Sequence, residues 1–278
     1  MTQLTSFSQD SISESIKQIS ESNLKFFSSE KEAYKFALSI LDLTTLEGSD
    51  RVKTIDDLCA KAKSYQSMGL SNVAAVCVYP VFVRQAKTLL KGCNIKVASV
   101  AGAFPSGQSP LEIKIAEIQY AVAEGADEID MVISRGKFLD GNYDEVSGEI
   151  KSIKEACKDA HLKVILETGE IKDPQAIYHA SQIAMKSGGD FIKTSTGKIP
   201  VAATPEAAYV MLHAIEDFYR ETGKKIGFKP AGGISTPEHA LLYIKLVENI
   251  LGKEWLTPEY LRIGASRLAN NLVSELIQ

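Results

Sequence analysis

The chain reads as an α/β protein: a (β/α)8 (TIM) barrel with an N-terminal helical extension. Three observations predict it. Eight short β-rich runs alternate with helical patterns over roughly 240 residues, against about 250 for a typical barrel of this kind. No repeat and no low-complexity linker splits the chain, so its 278 residues fit one large domain. The first β-rich run leads into Asp42-Leu43-Thr44-Thr45-Leu46. It lacks the glycine-rich turn that a doubly wound nucleotide-binding sheet, the rival architecture, commonly places there.

The expected division is a helical arm over 1–35 and a single barrel over 36–278. In the arm, Ile12, Ile16 and Ile19 recur at helical spacing, which predicts a helix lying on the main body. Residues 1–8 read equally well as a frayed tail. The β-rich runs lie near 37–45, 72–79, 96–103, 128–134, 162–168, 191–196, 225–230 and 260–265. Between them, Val146, Ile150, Ile153 and Cys157 make one apolar helical stripe, and Val210, Met211, Ala214, Ile215 and Phe218 another. Helix starts are marked by cap–proline–acid strings: Thr204-Pro205-Glu206, Thr236-Pro237-Glu238 and Thr257-Pro258-Glu259, with Asp173-Pro174 a weaker form. Ser109-Pro110-Leu111-Glu112 reads as a serine cap, proline at the first helical position and a glutamate closing a capping box.

Composition bounds the function. At 45% hydrophobic, 24% charged and a net charge of -4, nothing favours nucleic acid or an anionic membrane as partner. No apolar run is long enough to span a bilayer. Cys59, Cys77, Cys93 and Cys157 contain no C-x-x-C pair, and the polar, serine-rich start resembles no signal sequence. A cytoplasmic protein is the expectation. His161 precedes the fifth strand, and His179, His213 and His239 fall in helical patterns, so no metal site is expected.

Two strings carry the chemistry: Asp190-Phe191-Ile192-Lys193-Thr194-Ser195-Thr196-Gly197-Lys198 and Gly227-Phe228-Lys229-Pro230-Ala231-Gly232-Gly233. Each puts a lysine in a strand, where burial disfavours the ammonium, and then breaks into glycine. Strand side chains alternate between two faces. Turning Leu41, Leu43, Val76, Val78, Ile129, Met131, Ile226 and Phe228 toward the helices leaves Asp42, Thr44, Cys77, Tyr79, Glu128, Asp130 and Lys229 inside. Strand six follows less cleanly, with Phe191, Lys193 and Ser195 inward. Asp42, Asp130, Lys193 and Lys229 therefore converge near the C-terminal ends of the strands, where barrels keep their active sites. A lysine amine with its pKa near 10.4 is mostly protonated at neutral pH; burial and a neighbouring cation lower that value. The freed amine forms a Schiff base with an aldehyde or ketone and stabilises a carbanion as an enamine. Asp130 is placed to shuttle protons. Cys77 is either a thiol beside an aldehyde or a small buried hydrophobe.

A second argument concerns phosphate. Gly197-Lys198, Gly232-Gly233 and Gly264-Ala265-Ser266 follow strands six, seven and eight. Backbone N–H groups in such turns, near helix N-termini, hold anions, and barrels often build phosphate sites from these last loops.

These strings resemble the two signature strings of the deoxyribose-phosphate aldolase family. Supporting matches are Leu41-Asp42-Leu43-Thr44-Thr45-Leu46, Ala75-Val76-Cys77-Val78-Tyr79-Pro80, Gly125-Ala126-Asp127-Glu128-Ile129-Asp130, Glu167-Thr168-Gly169-Glu170 and Arg262-Ile263-Gly264-Ala265-Ser266. The resemblance spans about 36–270. It implies a barrel and reversible cleavage of 2-deoxy-D-ribose 5-phosphate to D-glyceraldehyde 3-phosphate and acetaldehyde, with no cofactor or metal. It makes Lys193 the Schiff-base residue, Lys229 the cation that depresses its pKa, Asp130 the proton-relay acid and Asp42 the orienter of a substrate hydroxyl and of Lys229. Thr44, Cys77, Thr196, Gly197, Lys198, Gly232, Gly233, Gly264 and Ser266 would line the substrate and its phosphate. Arg267 stands where the family often has a second serine. A homo-oligomer, dimer or tetramer, is also implied. The alternatives are another Schiff-base sugar-phosphate aldolase or transaldolase, and a catalytically silent sugar-phosphate binder.

Overall fold

The computed structural model describes residues 7–277. Eight parallel strands form one sheet: β1 (Leu41–Thr44), β2 (Ala75–Val78), β3 (Lys96–Ala101), β4 (Glu128–Val132), β5 (His161–Ile165), β6 (Phe191–Lys193), β7 (Gly227–Lys229) and β8 (Ile263–Ala265). Strands β1 to β7 pair in sequence order and β8 pairs with β1. The circle closes between β7 and β8. There Phe228 N–H donates to the Tyr260 carbonyl at 2.8 Å, Arg262 N–H to that of Phe228 at 3.0 Å, and Gly264 N–H to that of Pro230 at 3.0 Å. The architecture is the expected (β/α)8 barrel.

Around it lie helices α1 (Gln9–Glu21), α2 (Glu30–Ser39), α3 (Val52–Ser67), α4 (Val83–Leu89), α5 (Leu111–Ala123), α6 (Arg135–Leu139), α7 (Tyr143–Cys157), α8 (Thr168–Ile171), α9 (Pro174–Lys186), α10 (Pro205–Thr222), α11 (Pro237–Ile250) and α12 (Leu268–Ile277). The strand alternation resolves into two apolar regions. Leu41, Leu43, Val76, Val78, Ile129, Met131, Leu162, Val164, Ile192 and Phe228 join the helices in the main core. A small separate cluster of Leu46, Ala75, Cys77, Ala98 and Val100, flanked by Tyr79, lies inside the barrel.

All eight strands occur, each shorter than its β-rich run. Residues 37–39 belong to α2, because Ala33, Tyr34, Ala37 and Leu38 repeat at helical spacing and are buried. Thr204, Thr236 and Asp173 cap α10, α11 and α9, accepting from the N–H of Ala207 at 3.1 Å, His239 at 3.3 Å and Ala176 at 2.7 Å. Two expected starts differ. Pro110, not Ser109, is the cap position of α5, and no side chain bonds there. Thr257-Pro258-Glu259 forms a turn, with Leu261 N–H donating to the Thr257 carbonyl at 2.8 Å. Only a few residues separate that turn from β8, too few for a helix.

The expected arm helix is α1. Ile12 is buried, Ile16 and Ile19 are partly buried, and α1 packs on α10 and α11. The Glu248 carboxylate accepts from the N–H groups of Lys25 and Phe26 at 2.9 and 2.7 Å, tying the following segment down. Of residues 1–8, read also as a frayed tail, 1–6 lie outside the described residues. Phe7 packs on Tyr178, ring centroids 5.7 Å apart, and Ser8 caps α1.

Candidate active site

The inward positions of β1, β4, β6 and β7 bring Asp42, Asp130, Lys193 and Lys229 together, all buried. Asp130 Oδ2 accepts from both lysines, from Lys193 Nζ at 2.8 Å and from Lys229 Nζ at 2.6 Å. One oxygen thus holds the two amines within a few ångströms of each other. Lys229 also donates to Asp42 Oδ2.

Three more ionisable groups belong to the same interior. Lys163 on β5 donates to Glu128 and, at 3.0 Å, to Asp130. Arg262, just before β8, reaches Asp42 Oδ1 at 2.7 Å and Glu128 Oε1 at 2.7 Å. Strand alternation had already turned Glu128 inward without giving it a partner. The same rule could have found Lys163, flanked by outward Leu162 and Val164, and Arg262, flanked by Leu261 and Ile263 in the main core.

The charge balance of this cluster decides which group is uncharged. Asp42, Glu128 and Asp130 are three carboxylates; Lys163, Lys193, Lys229 and Arg262 are four basic groups. Buried charge persists only when it is compensated, so three cations suffice and the fourth is surplus. Burial pushes the Lys193 amine below the ordinary lysine range, and the Lys229 ammonium adds to this against the opposing pull of Asp130. Burial also acts against the charge of Lys229, but Asp130 and Asp42 outweigh it and raise that pKa. Lys163 is raised in the same way by Asp130, Glu128 and Asp42. Burial would raise Asp130, but Lys163, Lys193 and Lys229 hold it well below the usual carboxylate range. It is an anion at rest, so its first act in a proton relay is to accept.

The glycine turns after β6 and β7 lie side by side. Gly197, Gly232 and Gly233 have φ of +75°, +83° and +82°, a region that glycine enters freely. A Cβ on Gly232 would stand 3.0 Å from the Gly197 Cα and 2.6 Å from the Ala202 Cβ. Gly233 has nothing within 4 Å of such a Cβ, and Ser266 is exposed ahead of α12. Lys198 Nζ pairs with Glu47 at 2.9 Å, linking the loops after β6 and β1. Thr196 is buried against Glu167: its N–H donates to Oε1 at 3.1 Å and its hydroxyl to Oε2 at 2.5 Å. Glu167 itself holds φ +61°, a left-handed conformation with no glycine to announce it. Thr44 Oγ1 donates to the Asp42 carbonyl at 2.7 Å. Burial pushes the Cys77 thiol up to about 11, and Asp130 adds to this, so it is protonated at neutral pH. Ser195 Oγ is buried with no hydrogen-bond partner among the described residues.

Gly264 is a strand residue, not part of a turn. A Cβ there would lie 2.8 Å from the Ala231 Cβ and 3.2 Å from the Lys229 Cε. Its missing side chain is the space through which the Lys229 stem reaches the cluster. Gly264→Ala is expected to destabilise the fold by about 1–3 kcal/mol and to lower kcat by displacing Lys229. Thermal unfolding and steady-state kinetics check both.

The family model for the DeoC/LacD family aldolase matches residues 36–249. The deoxyribose-phosphate aldolase of Homo sapiens is 48% identical over 253 residues, covering 86% of this chain and 79% of its own. That of Mus musculus is 47% identical with the same coverage. The tetrameric structure of deoxyribose phosphate aldolase from Aeropyrum pernix superposes with a TM-score of 0.72 at 25% identity, covering 94% of this chain and 96% of the other. Triosephosphate isomerase from Bartonella henselae, at 14% identity and TM-score 0.54, shares the fold alone. Matched over most of its length by the family model and by relatives at nearly half identity, the chain belongs to the DeoC/LacD family of aldolases.

Proposed function

We propose that the chain cleaves 2-deoxy-D-ribose 5-phosphate reversibly to D-glyceraldehyde 3-phosphate and acetaldehyde, through a Schiff base on Lys193. The observation that carries this reading is Lys193 as the surplus cation of a buried cluster. At 3% exposure, beside Lys229 and Asp130, its amine is available as a nucleophile. The amine adds to the C1 aldehyde and the carbinolamine loses water to give an iminium. Proton removal from the C3 hydroxyl then breaks the C2–C3 bond, and its electron pair flows into the iminium to leave an enamine. Glyceraldehyde 3-phosphate departs. Protonation at C2 and hydrolysis release acetaldehyde and restore the amine.

Asp130, an anion beside the lysine nitrogen, takes up and returns protons directly or through water. Asp42 orients Lys229 and a substrate hydroxyl. Lys229, held protonated, keeps Lys193 from being so. Gly197, Gly232, Gly233 and Ser266 offer backbone N–H groups and a hydroxyl to the phosphate, with Lys198 adding charge. Gly264 leaves room for Lys229 beside Asp42 and Asp130, and Thr196, held by Glu167, fixes the start of the loop that carries Gly197 and Lys198. Thr44 and Cys77 line the aldehyde end, where the Ser195 hydroxyl is free to bond substrate. Residues 36–278 are the catalytic barrel, and 1–35 an accessory arm without a catalytic role.

No described helix is long and apolar enough to cross a membrane. The four free thiols, three of them buried, support a reducing, cytoplasmic setting. Self-association of this chain is proposed on its relationship to the tetrameric Aeropyrum pernix protein.

The decisive experiment measures glyceraldehyde 3-phosphate released from deoxyribose 5-phosphate, with and without EDTA. Equal rates are expected. Loss of activity on chelation, or no product at all, would reject the metal-free Schiff-base reading.

A further inference from the structure

The floor of the barrel carries a charged group that the chemistry above leaves unused. Arg262 is 1% exposed. Its Nη1 donates to Asp42 Oδ1 at 2.7 Å and to Glu128 Oε2 at 3.1 Å, its Nη2 to Glu128 Oε1 at 2.7 Å, and its Nε to the Pro258 carbonyl. The Phe191 ring lies 5.8 Å from the guanidinium carbon. Beneath, a cavity of about 310 Å³ opens at the N-terminal mouth of the barrel, lined in part by Asn72, Asn94, Lys96 and Glu259. The guanidinium is a plug between that mouth and the site. Above it a continuous chain of ion pairs runs from Arg262 to Asp42, Lys229, Asp130 and Lys193.

We propose that Arg262 is a positioning residue whose permanent charge, passed through Asp42 and Glu128, keeps Lys193 the one superfluous cation of the cluster. With Arg262 in place, Lys163, Lys229 and Arg262 already neutralise the three carboxylates. Without it, Lys193 is needed as the third cation and retains its proton. An arginine suits this task because its guanidinium does not deprotonate in proteins and its planar fork spans two carboxylates at once. Other groups act on the same balance. Around Lys193 these are Asp130 on β4, Lys229 on β7 and Cys77 on β2. Around Glu128 they are Lys163 and His161 on β5 and Lys96 on β3, whose Nζ lies 3.1 Å from Glu128 Oε1. Lys96 stands half in solvent, where screening weakens its part.

This inference rests on the aldolase reading and deepens it. The test follows kcat/KM for deoxyribose 5-phosphate cleavage against pH, together with borohydride trapping of acetaldehyde on Lys193, in the parent protein and three variants. The acid limb of kcat/KM reports deprotonation of the free enzyme's amine. A unit charge about 10 Å away at an effective dielectric near 20 moves a pKa by about one unit. Arg262→Met is therefore expected to shift the limb up by about one unit, with about a tenfold loss on the acid side. Glu128→Gln removes a negative charge and is expected to shift it down by a similar amount. Arg262→Lys keeps the charge and is expected to leave the limb in place, even if the fold melts earlier. A merely structural role would lower activity at every pH, or move both charge variants in one direction. Either result overturns the proposal, as does an Arg262→Lys limb that follows Arg262→Met. If Arg262→Met does not fold, Glu128→Gln and Arg262→Lys decide between the same outcomes. Absence of the Lys193 adduct in the parent would instead sink the aldolase reading. An adduct with coincident limbs in all proteins would sink only the role of Arg262.

Discussion

Lys193→Met is expected to abolish cleavage, lowering kcat/KM by more than about 10⁴-fold, while leaving the fold as stable as the parent's or more so. The loss follows from chemistry: no other amine in the cluster is free. Lys163 and Lys229 are both raised above the ordinary lysine range by their carboxylates, so neither substitutes as nucleophile, and removal of a covalent nucleophile is among the costliest changes an enzyme suffers. The stability claim follows from charge balance. Asp130 keeps Lys163 at 3.0 Å and Lys229 at 2.6 Å when Lys193 is gone, so no carboxylate is orphaned, and a surplus buried cation is replaced by an apolar side chain of similar length.

The sign of the pH dependence is fixed by the direction of the Lys193 shift. Its folded-state pKa lies below its unfolded value, so between the two the unfolded chain binds more protons and stability rises with pH. That rise, ending near the unfolded lysine value of about 10.4, is expected in the parent and absent in Lys193→Met. Thermal midpoints measured from neutral to alkaline pH, beside the coupled assay, check both halves. Retained activity, or a variant that melts well below the parent at neutral pH, would contradict the assignment of Lys193.

How much of this was legible beforehand depends on the range of the interaction. Asp42, Asp130 and Lys229 could be placed because the two-residue pleat is local: each sits between apolar neighbours that must face the helices, whereas Lys193, between Ile192 and Thr194, follows less cleanly. The same pleat places Lys163 and Arg262, yet neither is a lysine that runs into a glycine turn, the combination that made Lys193 and Lys229 conspicuous. What alternation does not encode is partnership. Arg262 meets Glu128 across 134 residues and Asp42 across 220, and Lys229 meets Asp42 across 187. Those pairings exist only once the sheet has closed, and they decide which lysine is neutral. Burial and a neighbouring cation were both readable as causes of the Lys193 depression; the opposing pull of Asp130 at 2.8 Å was not. Gly264 shows the same limit from the other side. Next to Ser266 it looked like turn chemistry, but its register opposite Asp42 and its nearness to Ala231 and Lys229 make it a spacer. Thr257-Pro258 carried a good helix-start signal that the short approach to β8 overrode.

Lys229→Met is expected to lower kcat/KM at neutral pH by at least about tenfold, the loss for each unit of pKa regained at Lys193, and, unlike the change at residue 193, to be rescued by alkali. Removing Lys229 leaves Asp42, Glu128 and Asp130 balanced by Lys163, Arg262 and a protonated Lys193. The amine is still present but charged. Each unit by which its pKa climbs back toward about 10.4 removes a factor of ten in free amine at pH 7, and kcat/KM falls with it. Above that pH the amine deprotonates again and cleavage recovers, short of whatever Lys229 contributes by position. Stability moves the opposite way from Lys193→Met. Lys229 is raised in the fold, so its contribution is full below its unfolded pKa and is lost only as pH rises through the folded value, above the range in which the protein is assayed. Its removal is therefore expected to cost stability at every working pH. The cost falls short of the 3–5 kcal/mol of a fully broken buried pair, because Arg262 stays at 2.7 Å from Asp42 and Lys163 at 3.0 Å from Asp130. A pH–rate profile of Lys229→Met that stays flat and low up to pH 10 would mean that Lys229 acts on the substrate itself, and that the neutrality of Lys193 has another source.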